Sequence, residues 1–117
     1  MLDRLRGLFG RKPARIAGTA KLEEGHSKNV TIGDPLAGAG ADVVLCRVEG
    51  KLYALDARCP HEDGRIVDGP LAEGKYAVCP LHMYRFEPSS GKPVGSMCRN
   101  AKTYRVKETG SDCDIWL

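Results

Sequence analysis

Two short stretches carry most of the chemistry open to this chain: Cys59-Pro60-His61 and Cys79-Pro80-Leu81-His82, with seventeen residues between His61 and Cys79. Each offers one thiolate and one imidazole. Soft thiolates suit iron–sulfur centres or zinc, and imidazole suits iron or zinc. A histidine two or three residues after a cysteine fits a loop that wraps a metal. Each proline fixes its φ and removes a backbone donor, which stiffens the loop between its ligands, while Gly64, Gly69 and Gly74 allow tight reversals. A closed zinc site of two Cys and two His is the alternative use of the four residues. Common zinc modules pair cysteine with cysteine and histidine with histidine along the chain, so the alternating order argues for two metals side by side.

The elements that must hold these loops read as short strands closed by glycine-containing turns, an all-β pattern. The spacing predicts strands near 15–20, 28–32, 42–49 and 51–56, the last two forming a hairpin across Glu49-Gly50 because Val43, Leu45, Val48, Leu52, Tyr53 and Leu55 suit a half-buried pleated surface. Gly33 to Gly40 reads as a long turn before that hairpin. Further strands are predicted at 74–79, 83–87, 101–107 and 113–117, with turns at Pro88 to Gly91 and Glu108 to Asp112. Residues 1–14 stand apart as a basic amphipathic tail. Leu2, Leu5, Leu8 and Phe9 recur at helical spacing among Arg4, Arg6, Arg11 and Lys12 until Pro13. A helix this short is marginal alone in water, so a frayed or packed tail is expected in preference to a docking helix.

The 117 residues fit one domain, and a hydrophobic share of 42% supplies a modest core. Eighteen Lys and Arg against fifteen Asp and Glu give +3 with the signs mixed, which argues against a nucleic-acid-binding stripe. Five cysteines, an odd number, disfavour a disulfide framework. Neither a bilayer-spanning run nor a secretory leader is expected, and the cytoplasm is the expected address.

The interleaved Cys-His, Cys-His order matches the Rieske pattern, in which two cysteines hold one iron and two histidines the other. The segment from about 42 to 107 resembles the Rieske ferredoxins of bacteria: Leu52-Tyr53-Ala54-Leu55-Asp56 leads into Cys59, and Tyr84-Arg85-Phe86 with Ser90-Gly91-Lys92-Pro93 follows His82. The resemblance implies one [2Fe-2S] cluster ligated by Cys59, His61, Cys79 and His82, with the cysteines on the buried iron and the histidine ring edges near the surface. It implies a Rieske iron–sulfur domain over 15–117, built of stacked antiparallel sheets with a cluster-binding subdomain inserted at about 57–87. The function it implies is a one-electron carrier that passes electrons from a reductase to a terminal enzyme, an oxygenase first, with no substrate turnover of its own. A free carrier is expected to be a monomer. The competing role is the small Rieske subunit of an NAD(P)H-dependent nitrite reductase-like complex, and a redox sensor is a third.

High-potential Rieske proteins carry loop cysteines where this chain has Gly64 and Leu81, and sulfur-donating Ser and Tyr hydroxyls where it has Tyr84 and Phe86. Losing such donors disfavours the reduced cluster, and Glu62 and Asp63 beside His61 act the same way when ionised, so a potential near about −150 mV is expected. Met83 stands where many relatives have glycine, and is read either as an apolar partner contact or as core filler. Cys46, Cys98 and Cys113 read as reduced, partly buried thiols, His26 as a solvated surface histidine, and Trp116 as a side chain packing on the core. A terminal oxygenase would need two further histidines for a mononuclear iron, and only His26 remains. Arg58, Arg85 and Arg99 are candidates for steering an acidic partner.

Overall fold

The computed structural model describes residues 12–60, 64–81, 83–95 and 98–117. The amphipathic tail lies outside them up to Arg11, as do His61, Glu62, Asp63 and His82. Among the described residues ten strands run β1 (Ala14–Ile16), β2 (His26–Asp34), β3 (Ala39–Val48), β4 (Lys51–Asp56), β5 (Val67–Ala72), β6 (Tyr76–Cys79), β7 (Tyr84–Phe86), β8 (Pro93–Val94), β9 (Thr103–Thr109) and β10 (Asp112–Trp116). Every pairing is antiparallel, in the order β1-β10-β9-β4-β3-β2-β5-β6-β7-β8. This is the stacked antiparallel architecture expected from the sequence.

β3 and β4 form the spine because both of their faces are apolar. Val43 and Leu45 point into one core with Ile32, Leu52, Ala54, Cys113 and Ile115. Val44 and Cys46, one residue out of phase, point into a second core with Leu55, Ala57, Ile66, Leu71, Ala77, Phe86 and Ala101. The Glu49-Gly50 turn has φ of 53° and 76° at its two central residues, the mirror-image geometry whose twist suits a two-residue hairpin. Both Glu24 carboxylate oxygens accept its amides, at 2.6 and 2.7 Å. Beneath it the buried Arg47 guanidinium donates to the Thr19, Leu22 and Gly50 carbonyls and pairs with Glu108 at 2.6 Å.

Several boundaries differ from the sequence reading. The run at 15–20 is strand only to Ile16, and a 3₁₀ turn takes Thr19–Lys21. The supposed long turn from Gly33 to Gly40 is half sheet: Gly33 pairs with Gly40 and Asp34 with Ala39 around a 3₁₀ turn at Pro35–Ala37, which Asp34 caps through the Ala37 amide at 3.3 Å. The turn at 108–112 is tighter than expected, since Thr109 already pairs with Asp112. β5 was not anticipated, because Asp68, Gly69 and Pro70 are poor strand formers. It is held by partners on both sides, Ser27 of β2 and the β6 register, with an irregularity between Val67 and Ala72.

Candidate metal centre

Both predicted ligand loops have legs closed by backbone bonds, and the second is a hairpin connection between paired strands. The first leaves β4 and returns into β5: Ile66 donates to the Ala57 carbonyl at 2.7 Å, Arg58 and Arg65 form a bridge, and Cys59 donates to Gly64 at 2.9 Å. The second joins β6 to β7, with Cys79 paired to Tyr84 and the Met83 amide donating to Pro80 at 3.4 Å. A third segment closes over them. Ala101 donates to Gly91 at 2.7 Å, and Arg99 reaches the Pro60 carbonyl at 3.4 Å.

This arrangement brings Cys59 and Cys79, twenty residues apart in sequence, together at Gly64, whose carbonyl accepts the Cys59 amide and which packs directly against Cys79 Sγ. Both belong to the second core and are 4% and 0% exposed. Burial, and then the neighbouring Cys59 thiol, push the Cys79 thiol above its ordinary range, while backbone bonds from Leu81 and Arg65 act the other way. A buried thiol pair of this kind is poorly stabilised as two bare thiolates and well suited to a metal cation that draws off the protons. The space beside it is tightly bounded. A Cβ added at Gly64 would lie 2.5 Å from Cys79 Sγ and 3.1 Å from Leu81 Cβ, so the first loop passes the second at a distance only glycine permits. The donor set and this close approach fit the cysteine half of a Rieske cluster. His61 and His82, the predicted imidazole ligands, lie outside the described residues.

Around the second loop two apolar side chains stand in the open: Leu81 is 40% exposed and Met83 66%. Met83 is therefore a surface residue and not core filler. It has a φ of 56°, a left-handed conformation that costs a residue with a Cβ about 1–2 kcal/mol. Phe86, at a position where high-potential relatives place a hydroxyl, is fully buried.

The arginines separate. Arg85 pairs with Glu73 at 3.0 Å and lies over the Tyr76 ring, Arg58 pairs with Asp56, and Arg99 contacts the first loop. His26 opens β2 half-exposed, 4.0 Å from Glu23. Trp116 ends β10 half-buried beneath the Arg105 guanidinium, 4.7 Å from its ring centre. Sequence reasoning missed Asp56 and Tyr104, whose side chains meet at 2.6 Å behind the first loop. The only hint was an acidic residue closing an apolar strand three places before Cys59.

The sequence profile of the Rieske [2Fe-2S] domain matches residues 13–106. The ferredoxin component of a naphthalene 1,2-dioxygenase system from Pseudomonas aeruginosa is 37% identical over 91 residues, which cover 77% of this chain and 81% of that one. The corresponding component from Pseudomonas putida is 44% identical over 69 residues, 58% of this chain, and the match spans 65% of that relative's length. Among solved structures, the ferredoxin of carbazole 1,9a-dioxygenase from Nocardioides aromaticivorans IC177 superposes with a TM-score of 0.74, at 24% identity over 90% of this chain and 97% of that one. No helix among the described residues is long and apolar enough to cross a membrane.

Proposed function

The chain belongs to the Rieske [2Fe-2S] domain family, and from that premise we propose that it carries single electrons from a reductase to a terminal oxygenase. Cys59 and Cys79 would hold the inner iron, and His61 and His82 the outer one. The bound cluster supplies a one-electron couple. The observation that carries the reading is the buried Cys59–Cys79 pair, set where the two closed loops meet. Around it the chain keeps water from the sulfurs with Ile66, Phe86 and Ala101. The Cys79 thiol donates to the Leu81 carbonyl of its own loop at 3.9 Å. Leu81 and Met83, exposed on either side of His82 in sequence, offer apolar contact area for a protein partner.

The same reading assigns residues 15–117 to one Rieske domain with its cluster-bearing part at about 57–87, and the chain to the cytoplasm. The buried Cys46 and Cys113 are reduced thiols, the state a reducing compartment maintains, which supports that location. The ferredoxin components of dioxygenase systems among its relatives support an oxygenase as acceptor.

An EPR-monitored redox titration of anaerobically purified protein, with iron and acid-labile sulfide measured on the same sample, tests the site. Two irons and two sulfides per chain, histidine nitrogen coupling and a midpoint near about −150 mV are the expected result. Stoichiometric zinc with no reduced-state signal would overturn it. Copurification with a large flavin- or haem-containing protein would replace the mobile carrier by a permanent subunit.

A further inference from the structure

The first ligand loop stands on two acid–arginine pairs, one for each leg. On the returning leg Arg65 pairs with Asp42 at 3.0 Å, and Asp42 also accepts the Thr31 hydroxyl at 2.6 Å. This pair is open to water, with side chains 53% and 26% exposed. On the outgoing leg the acid is Asp56, the last residue of β4, and it is only 4% exposed. One of its carboxylate oxygens accepts the Arg58 amide at 2.8 Å and the Arg58 guanidinium at 3.3 Å. The other accepts the Tyr104 hydroxyl from β9 at 2.6 Å, and the Asp56 amide donates to Lys102 on the same side at 2.8 Å.

A buried carboxylate is costly unless several donors surround it, and here three do. Burial alone would raise its pKa, but the Tyr104 hydroxyl and the Arg58 amide and guanidinium outweigh that and hold Asp56 below the ordinary carboxylate range. It is thus a fixed negative charge. Cys59 lies three positions further along the chain, so their Cα atoms lie within about 11 Å of each other. At that range a charge in the interior is felt, while one at the surface is screened.

We propose that Asp56 is a positioning residue for the Cys59 loop and, through its buried charge, holds the reduction potential of the site down, with Tyr104 moderating that charge. Reduction adds one electron and one negative charge to the site, and a fixed anion behind the loop opposes it. The inference rests on the ligand assignment above, with Cys59 as a cluster ligand.

Potentiometric titration followed by EPR, with iron and sulfide content on each sample, separates the charge from the tether. Asp56→Asn keeps the shape and one acceptor oxygen for Arg58, turns an amide NH2 toward the Tyr104 oxygen, and removes the charge, so its midpoint should rise. Tyr104→Phe removes a donor from a carboxylate that stays charged, so its midpoint should fall. Asp42→Asn loosens the other leg without touching a buried charge, and its midpoint should match the wild type. An unchanged midpoint in Asp56→Asn, or an equal rise in Asp42→Asn, would overturn the inference and leave Asp56 a structural staple. Should Asp56→Asn fail to hold the cluster, Tyr104→Phe decides: a fall supports the inference and an unchanged or raised midpoint overturns it. A wild-type chain without a Rieske signal would sink the ligand assignment and this inference together, whereas the variant shifts test the inference alone.

Discussion

The two cores that share β3 and β4 are built differently. The one facing β1 and β10 is closed by Ile32, Val43, Leu45, Leu52 and Ile115, branched aliphatic side chains that fill space unaided. The one facing β6 and β7 surrounds a single large ring, Phe86, with Ala57, Ala77, Ala101 and three cysteines, two of them the candidate ligands. The first core holds one thiol, Cys113, among its aliphatic side chains, whereas the second adds Val44, Leu55, Ile66 and Leu71 around its ring and gathers its sulfurs at the candidate ligands. Metal retention and global stability should therefore respond to different substitutions.

The largest effect expected is on composition. Cys59→Ser or Cys79→Ser should abolish bound iron and acid-labile sulfide, while far-UV circular dichroism still reports a β-rich fold supported by the other core. Loss of all β-structure in these variants would show that the two cores do not stand apart. Next in size, Phe86→Ala should cost about 3–5 kcal/mol and Ile115→Ala about 2–5 kcal/mol. In a denaturant titration read by both visible absorption and circular dichroism, Phe86→Ala should lose cluster colour ahead of backbone structure, and Ile115→Ala should lose both together.

Titration offers a finer comparison, because each core buries a thiol. Burial pushes the Cys46 thiol up to about 12, and Cys113 is raised in the same direction by the same cause. A thiol kept neutral in the folded chain but free to ionise in the unfolded one contributes stability fully below an ordinary thiol pKa of about 8.5. That contribution falls as pH rises toward the folded value, by at most about 1.4 kcal/mol per pH unit for each thiol. Urea midpoints measured from pH 8 to 11 should decline, and Cys46→Ala should flatten the decline. A slope identical to wild type in Cys46→Ala would assign the alkaline loss elsewhere. Smallest of all, Met83→Gly should relieve the left-handed backbone and gain under about 1 kcal/mol. Its midpoint potential should be unchanged, and weaker electron delivery to the partner enzyme would assign Met83 to the docking surface.

How much of this was legible depended on whether the signal was local. β3 and β4 could be read because their apolar residues are continuous and Glu49-Gly50 is a turn in its own right. The candidate ligands could be read because two thiol–imidazole pairs recur in matched loops. β5 could not, since Asp68-Gly69-Pro70 argues against a strand and only pairing to β2 and β6 overrides it. Nor could the Asp56–Tyr104 contact, made between residues 48 apart by the joining of β4 to β9. Gly64 was read as a missing cysteine, whereas its second role, clearing room for Cys79, depends on two loops crossing.

The strand order ends on β1, three residues long, and on β8, only two. An exposed edge is an open row of hydrogen-bonding groups on which another chain can zip, and these two ends are too short to nucleate such growth. The longer opening lies within the order, along β2, which meets β5 only at His26 and Ser27 and beyond them has β3 as its one strand partner among the described residues. A second chain that added itself to this sheet would therefore have to do so along β2, not at either end.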